Sequence, residues 1–518
     1  LTYADLTYKK NIYSTYGLVD LSYDNMIFLN VTARNDWSST LPKDNRSYFY
    51  PSASLSVLVN EMLSLPSWVS MLKLRSGFSQ VGKDTDPYVI ATVLSQGTWG
   101  SNTMYTVPSN LPNINLKPEI AKAFEIGTDI SLFNNRLGAD FTYYKVQNTN
   151  QILNASTSAA SGYLAATINA GNIENTGIEI GISGVPIRTK NFTWDVRANF
   201  TRERSRLKEL TKGIDQFQFW ESTSVFAISK VGEYIGDIYA SDMIRVEDKA
   251  SPYYGWPLLN SNGMLQRNND HSSLIKVGNF LPNFMIGLQT ALSYKRFTLS
   301  VSVDWRQGGT YYDQTMMRLA RAGKVEYFHN NANSSTFTGI RSNNSFDGDN
   351  SALANEIKSH PEIYQQDTWV GGRTQDLGGF LYSNGVYEGA FIPGVISDGQ
   401  GGYIENFGAA GTKYVKAYDI FQPSGGYWDA ATRYKWFYDA SFVKLREIAI
   451  SYTLPESFAH RLYVQNINIA GFMKNIVLYA ANKTNQDPES IYNQNPLTGT
   501  TEQGRSLWNA SPIVMPVG

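Results

Sequence analysis

"FEIGTDISLFNNRLGADFTYYKV" occupies residues 124–146 and alternates apolar with polar residues on both sides of a short turn. Phe124, Ile126, Thr128, Ile130 and Leu132 share one face of the first arm, and Glu125, Gly127, Asp129 and Ser131 share the other. After Asn134, Asn135 and Arg136, the residues Leu137, Ala139, Phe141 and Tyr143 alternate with Gly138, Asp140, Thr142 and Tyr144. Period two on both sides of a turn predicts a β-hairpin with one greasy and one wet face. A soluble sandwich and a membrane barrel both contain such hairpins, so the neighbouring segments have to decide between them.

The neighbours repeat the pattern in pairs. Segments 17–23 and 26–34 meet across Asp24 and Asn25, and 51–59 precedes 71–79. Segments 177–185 and 192–200 flank "PIRTKN", while 282–294 and 297–305 are separated by Lys295 and Arg296. The last pair is 442–455 and 461–472, with a phase slip near Glu447 that predicts a β-bulge. About twelve strands result, each of roughly the length a tilted membrane strand needs. Links within a pair are short (24–25, 61–69, 133–136, 188–190, 295–296, 456–460), whereas links between pairs are long. The long ones run near 80–121, 147–172, 203–280, 306–434 and 474–518. Strands that run up and down place successive links at opposite ends, so one end carries tight turns and the other every long loop. Greek-key connections in a soluble sandwich give no reason for this sorting, and an outer-membrane barrel does.

The residue types on each face agree. Glu125, Asp129, Asp140, Asp195, Arg197 and Asp304 stand at mid-strand on the polar side, where lipid would not tolerate them, so they are expected to face a wet lumen or a plug. Tyr143, Trp194, Tyr294, Trp305 and Tyr452 lie near strand ends, as an interfacial aromatic girdle requires. The predicted fold class is all-β, a transmembrane antiparallel β-barrel of which residues 1–518 form the C-terminal portion as one domain. The competing reading, a soluble all-β carbohydrate-binding or hydrolytic protein with its apolar face as core, leaves the sorted loops unexplained. If both ends of the complete barrel are periplasmic, one further strand is expected after residue 518, and residues 1–12 are expected to be the tail of an external loop.

Composition narrows the function classes. The net charge is −1, which leaves no electrostatic footprint for nucleic acid. Cysteine is absent, excluding disulfide scaffolds, thiolate metal sites and cysteine nucleophiles. Aromatic residues make up 13% of the chain and charged residues 17%, the latter below the usual quarter or so. No apolar run approaches the roughly 18–20 residues of a membrane-spanning helix.

Several stretches carry a family resemblance. "VTARNDWSSTLPKDNRSYFYPSASLS", "LKLRSGFSQVGK", "NLPNINLKPEIAKAFEIGTDISLFNNRLGADFTYY" and "FYDASFVKLREIAISYTLP" resemble the SusC/RagA family of TonB-dependent outer-membrane transporters. "NTGIEI", "VGNFLPNFMIGLQTALSYKRFTLSVSVDWRQGG" and "SNGVYEGAFIPGVISDGQGG" follow in the family's order, so the resemblance covers nearly the whole chain. Lys117-Pro118-Glu119 departs from it, since the family more often has an aromatic before that Glu. The resemblance implies a 22-stranded barrel around an N-terminal plug, of which this chain would supply about twelve strands, the plug and last strand being absent. It also implies a SusD-like surface lipoprotein as a lid over the external loops, and TonB acting through an N-terminal region that this chain lacks. The location implied is the outer membrane of a Gram-negative bacterium, with outer-membrane lipid around the barrel. The implied activity is TonB-dependent import of oligosaccharides, with peptide import as the alternative cargo.

Catalytic chemistry finds no residues to attach to. His271, His329 and His360 lie in long loops and His460 in a short turn, none with metal-ligand spacing. "SFDGDNS" (345–351) lacks the complete EF-hand pattern and reads as a polar turn. There is no nucleophile elbow and no P-loop lysine. Neither a catalytic residue, a resident metal nor a cofactor is expected. Asn30-Val31-Thr32 and Asn199-Phe200-Thr201 fall on strands and read as polar wall residues. For ligand contact the loop aromatics stand out: Trp99, Trp220, Tyr254, Trp256, Trp369, Tyr427 and Trp428, with "SPYYGWP" (251–257) and "GGYWDAATRYKWFYD" (425–439) the densest stretches. Their faces suit the C–H surface of a pyranose ring. Packing of the loops against one another is the competing use of the same rings.

Overall fold

The computed structural model describes residues 8–156, 159–211, 214–222, 225–266, 274–313, 359, 379–383, 386–407, 412–413, 415–416, 437–482, 487 and 489. Twelve strands form one antiparallel sheet in strict chain order, each hydrogen-bonded to the next. They are β1 Ile12–Tyr23, β2 Ile27–Ser38, β3 Ser47–Leu58, β4 Val69–Lys83, β5 Glu119–Leu132 and β6 Leu137–Thr149. The sheet continues with β7 Asn172–Arg188, β8 Phe192–Glu209, β9 Phe284–Tyr294, β10 Phe297–Gln307, β11 Phe442–Thr453 and β12 Asn468–Ala480. Each segment expected to be a strand contributes one, and most run further into the long-loop end than the apolar alternation alone indicates.

The tight turns follow local chemistry. Met26 N donates to Tyr23 O at 2.9 Å while Asp24 and Asn25 have φ of 47° and 55°. Two consecutive positive φ values make a type I′ turn, whose twist matches the flanking strands. Asn134 and Asn135 supply the same left-handed backbone at the turn of β5 and β6, with Phe133 beside them (φ 56°, 63° and 55°). Asn tolerates this region through local hydrogen bonding of its short side chain.

Register sorts the residues into faces. In one cross-sheet row Leu72, Ile130, Ala139, Ile182, Ala198, Leu288, Val303, Leu445 and Ile476 are successive partners. The next row, on the opposite face, reads Lys73, Asp129, Asp140, Gly181, Asn199, Gly287, Asp304 and Lys444. The slip expected near Glu447 is present: Val303 pairs with Leu445 and Ser302 with Glu447, so Arg446 is the extra residue of a bulge.

One boundary differs. The alternation at 461–472 predicts the last strand, but β12 begins at Asn468, after a short helix Glu456–Arg461. Pro455 precedes that helix with φ −57°, Glu456 lies in its first turn, and His460 and Arg461 lie in its last. Proline ends the preceding strand because it has no N–H for the ladder, and both charge signs suit the helix dipole. The alternating Leu462 and Val464 therefore belong to the helix exit, where Tyr463 takes φ 59°.

The buried apolar residues lie almost entirely outside the membrane-length part of the sheet. Phe226, Ile228 and Tyr239 form one cluster, Ala170, Leu207, Leu210 and Ile235 a second, and Leu41, Tyr48 and Leu116 a third. These belong to the long-loop end, where short strands build their own sheets, such as Gln216–Ser222, Val225–Lys230, Asp237–Ala240 and Ile275–Asn279. On the apolar face of the twelve-stranded sheet, Val19, Leu21, Leu55, Leu74, Ile126, Ile182, Leu288 and Ile450 are exposed.

Candidate functional site

The polar face of the sheet carries two charged networks. In the first, Lys73 Nζ lies 3.2 Å from Asp129 Oδ2, and Arg75 Nε donates to Asp129 Oδ1 at 3.3 Å. Arg75 also donates to Thr142 Oγ1 at 2.6 Å. Gly127 makes room for this reach, because a Cβ there would stand 2.9 Å from Arg75 Cζ and 2.7 Å from Phe141 O. Asp140 pairs across the strands with Asp129 and with Gly181, while Glu125 pairs with Tyr144 and Gly77. A Cβ on Gly177 would meet the Tyr144 ring at 2.2 Å, so this ring lies across the glycine and covers its backbone.

The second network joins β10, β11 and the chain after β12. Arg446 Nε donates to Asp304 Oδ2 at 2.5 Å, and its two terminal nitrogens donate to the carboxylate of Glu489. Lys444 is 1% exposed and lies 3.0 Å from Asp487 and 2.7 Å from Glu489. A buried ammonium is costly without such partners. Burial pushes the Glu489 carboxyl up, but the hydrogen bonds from Arg446 and Lys444 outweigh it and hold its pKa below the ordinary carboxylate value. Beside this network, Asp195, Arg197, Gln289, Ser300, Ser302, Arg446, Glu447 and Lys474 line an open concavity of about 520 Å³. Lys474 Nζ stands 3.0 Å from Glu447, and Arg197 Nε 3.6 Å from Asp195. Both signs of charge, several hydroxyls and the Gln289 amide therefore face the same space, a surface suited to polar partners.

The six mid-strand charged residues expected on the polar side all fall on this face, in two groups: Glu125, Asp129 and Asp140 in one, Asp195, Arg197 and Asp304 in the other. Lys73 and Arg75, the basic partners of Asp129, are legible as alternate positions in "LKLRSGFS", whereas Arg446, the partner of Asp304, is displaced from simple alternation by a bulge.

At the long-loop end the aromatic candidates separate. Trp99 is 77% exposed at the tip of the hairpin Ser95–Trp99 and Asn102–Thr106, and Tyr254 is exposed. Trp256 differs from the expectation of a ligand platform, being 4% exposed with its ring 4.6 Å from that of Phe407. An indole enclosed this way packs loop against loop. Tyr253 reinforces the same contact by donating to Glu405 Oε1 at 3.0 Å and meeting the Tyr403 ring edge-on at 6.0 Å. Burial and the Glu405 carboxylate push the Tyr253 phenol up, so it stays a donor at neutral pH. Trp220 lies in the short strand Gln216–Ser222 opposite Ala227, its side chain outside the described residues. Trp369, Tyr427, Trp428, His271, His329, His360 and residues 345–351 also lie outside them. Among the described residues no three His, Cys, Asp or Glu converge as a metal site.

Beneath the loops, Asp84 ties three strand ends together. It accepts from Lys10 Nζ at 2.6 Å, from Ser38 Oγ at 2.5 Å and from Thr40 Oγ1 at 3.2 Å. Burial raises its pKa, but Lys10 and the hydroxyls outweigh it, leaving the carboxyl below its ordinary value.

Comparison with known proteins places this geometry. Residues 2–327 match the family described as "TonB dependent receptor-like, beta-barrel". The curated TonB-dependent receptor P3 of Formosa agariphila is 27% identical over 333 residues, covering 59% of this chain and 33% of that protein. TonB-dependent receptor SusC of Bacteroides thetaiotaomicron is 27% identical over 349 residues, covering 63% and 34% respectively. The chain thus spans about one third of the length of the curated relatives it matches. Among solved structures, that of the RagAB peptide transporter superposes with a TM-score of 0.63 at 16% identity, covering 98% of this chain and 47% of that one. This likeness extends the shared fold past residue 327, through the last strands of the sheet.

Proposed function

The chain belongs to the TonB-dependent receptor-like β-barrel family, of SusC type, and from that premise we propose that it forms the C-terminal wall and external loops of an outer-membrane importer of oligosaccharides. In this reading the apolar face meets lipid and the polar face lines the lumen. A SusD-like lipoprotein closes over the loops, and TonB acts through a region outside this chain to displace a plug. The chain contributes walls and loops and performs no covalent chemistry.

One observation carries the reading: an apolar face stands exposed across the twelve strands, opposite a face that carries charged networks, with every long loop at one end. Soluble monomers rarely expose apolar patches beyond a few hundred Å², whereas a barrel in lipid requires an apolar outer band and accommodates a polar interior. Leu18, Phe28 and Met285 interrupt the polar face as exposed apolar residues, which suits contact with a plug better than with bulk water. Trp99 and Tyr254 supply exposed rings for sugar stacking at the loop end.

The test purifies the full-length protein from outer membranes. Migration on a gel that shifts on heating, a co-purifying lipoprotein, and binding to an oligosaccharide panel are the expected results. A water-soluble protein in the absence of detergent overturns the barrel assignment. Binding to peptides and to no oligosaccharide replaces the cargo while leaving the transporter class intact.

A further inference from the structure

The apolar face changes character at the long-loop end of β5–β8. Moving outward from the row Thr128, Phe141, Ile180 and Phe200, the next row on the same face is Ile126, Tyr143, Ile178 and Arg202. Beyond it come Phe124, Lys145, Thr176 and Arg204, and then Lys122, Gln147, Glu174 and Arg206. Lys208 joins at the edge, with Nζ 3.7 Å from Glu174. Six cations therefore share this patch with one carboxylate, which is paired with Lys145 at 2.7 Å and Lys208 at 3.7 Å. The polar face differs, with Asp129, Asp304 and Glu447 each paired to a cation.

Aromatic rings stand among the inner of these cations. Phe124 and Tyr143 lie among the basic rows, and Phe200, Phe284 and Trp305 form a cluster at the same level, with centroids 5.7 and 5.3 Å apart. Aromatic girdles mark the boundary between hydrocarbon and headgroups. Arg206 is steadied by the Tyr234 ring, 4.9 Å from its guanidinium. Arg204 donates to Pro282 O at 2.9 Å and Asn283 Oδ1 at 2.8 Å, and lines a cavity of about 270 Å³. Asp237 in that cavity is neutralised by Lys276 at 2.5 Å. Lys122 and Arg202 are exposed and have no ion-pair partner among the described residues.

We propose that Lys122, Lys145, Arg202, Arg204, Arg206 and Lys208 form a binding site on the outer wall for the phosphorylated headgroup of an anionic lipid in the external leaflet. The inference rests on the apolar face meeting lipid, as proposed above. A phosphate matches the forked donors of arginine and the point charge of lysine, and basic pockets at headgroup level hold anionic lipids. Acyl chains leaving that headgroup would descend over Ile126, Ile178 and Ile180 on the same face.

The full-length protein is reconstituted in phosphatidylcholine vesicles doped with diphosphorylated lipid A or with the same lipid stripped of phosphate. Lipid retained after detergent extraction is counted by native mass spectrometry. The wild-type protein is expected to retain the phosphorylated form about tenfold over the stripped one. The triple variant Lys122→Gln/Arg202→Gln/Arg206→Gln is expected to lose that preference, whereas Arg197→Gln/Lys474→Gln on the opposite face keeps it. Excess inorganic phosphate is expected to leave retention unchanged, because the acyl chains contribute. Equal retention of both lipids, an unaffected triple variant, displacement by phosphate alone, or a lipid-independent dimer that the triple variant abolishes would each overturn the site. Heat-shifted gel migration of every variant reports barrel formation separately, so failure of the lipid site and failure of the barrel reading give different results.

Discussion

Ile182 and Phe226 are both large and apolar, yet the first is 47% exposed on the sheet and the second 3% exposed in the loop layer. The sheet turns its apolar side chains outward in register, row after row, and keeps its charges on the other face. The loop layer does the reverse, enclosing Phe226, Ile228 and Tyr239 between short strands, and the polar Asp237 it buries with them is paired with Lys276. The same hydrophobic effect produces both patterns once the solvent is allowed to differ. Apolar area facing hydrocarbon has already left water, so the sheet needs no core, whereas loops standing in water must build one. The twelve-stranded sheet is held by its backbone ladder and its polar-face networks, and the loop layer by packing.

The comparison can be broken at several points. Phe226→Ala should cost the loop layer about 3–5 kcal/mol, as large core deletions do. Limited proteolysis would then cut within 203–280 while gel migration of the barrel stays unchanged; loss of both together would mean that the two regions fold as one. Ile182→Arg should cost about 2–4 kcal/mol for a charge near the middle of the lipid-facing band. Asn199→Arg, on the opposite face, should be nearly silent, and chemical unfolding in lipid vesicles compares the two. Similar costs for both would erase the distinction between the faces. Gly127→Val places its Cβ against Phe141 O and the Arg75 guanidinium, so about 1–3 kcal/mol of overpacking is expected. Gly127→Ala with Arg75→Ala should be less than additive, since shortening Arg75 removes part of the clash.

The smallest effect concerns acid. Asp84 has its pKa lowered in the folded chain from the model-compound value of 3.8. Its contribution is therefore fully present above that value and is lost as pH falls through the lower folded pKa. Amide exchange at Ser38 and Thr40 should accelerate below about pH 4, and Asp84→Asn should show the faster exchange at every pH. The apolar row through Ile182 carries no titratable side chain and should show no change across that window.

How much was legible followed from the range of each interaction. The hairpin at 124–146 shows its own faces because a strand's period is two residues, and its Asn-rich turn needs no distant partner. The bulge near Glu447 was visible as a break in that period. The final strand was misplaced because Leu462 and Val464 mimic alternation, while Pro455 and Glu456 start a helix whose exit sets where β12 begins. Trp256 could not be sorted from Trp99 by sequence, since its burial depends on Phe407, far along the chain. The outward basic rows were equally hidden, because Lys122, Lys145 and Arg206 come from separate strands.

By itself, then, the sequence determined strand identity, the two faces and the end at which the long loops gather, all consequences of local periodicity and turn chemistry. The tertiary structure decided which charges meet, which loop rings are enclosed and which cations share one patch. Those outcomes depend on register and on loops returning across hundreds of residues, and no local pattern encodes such distances.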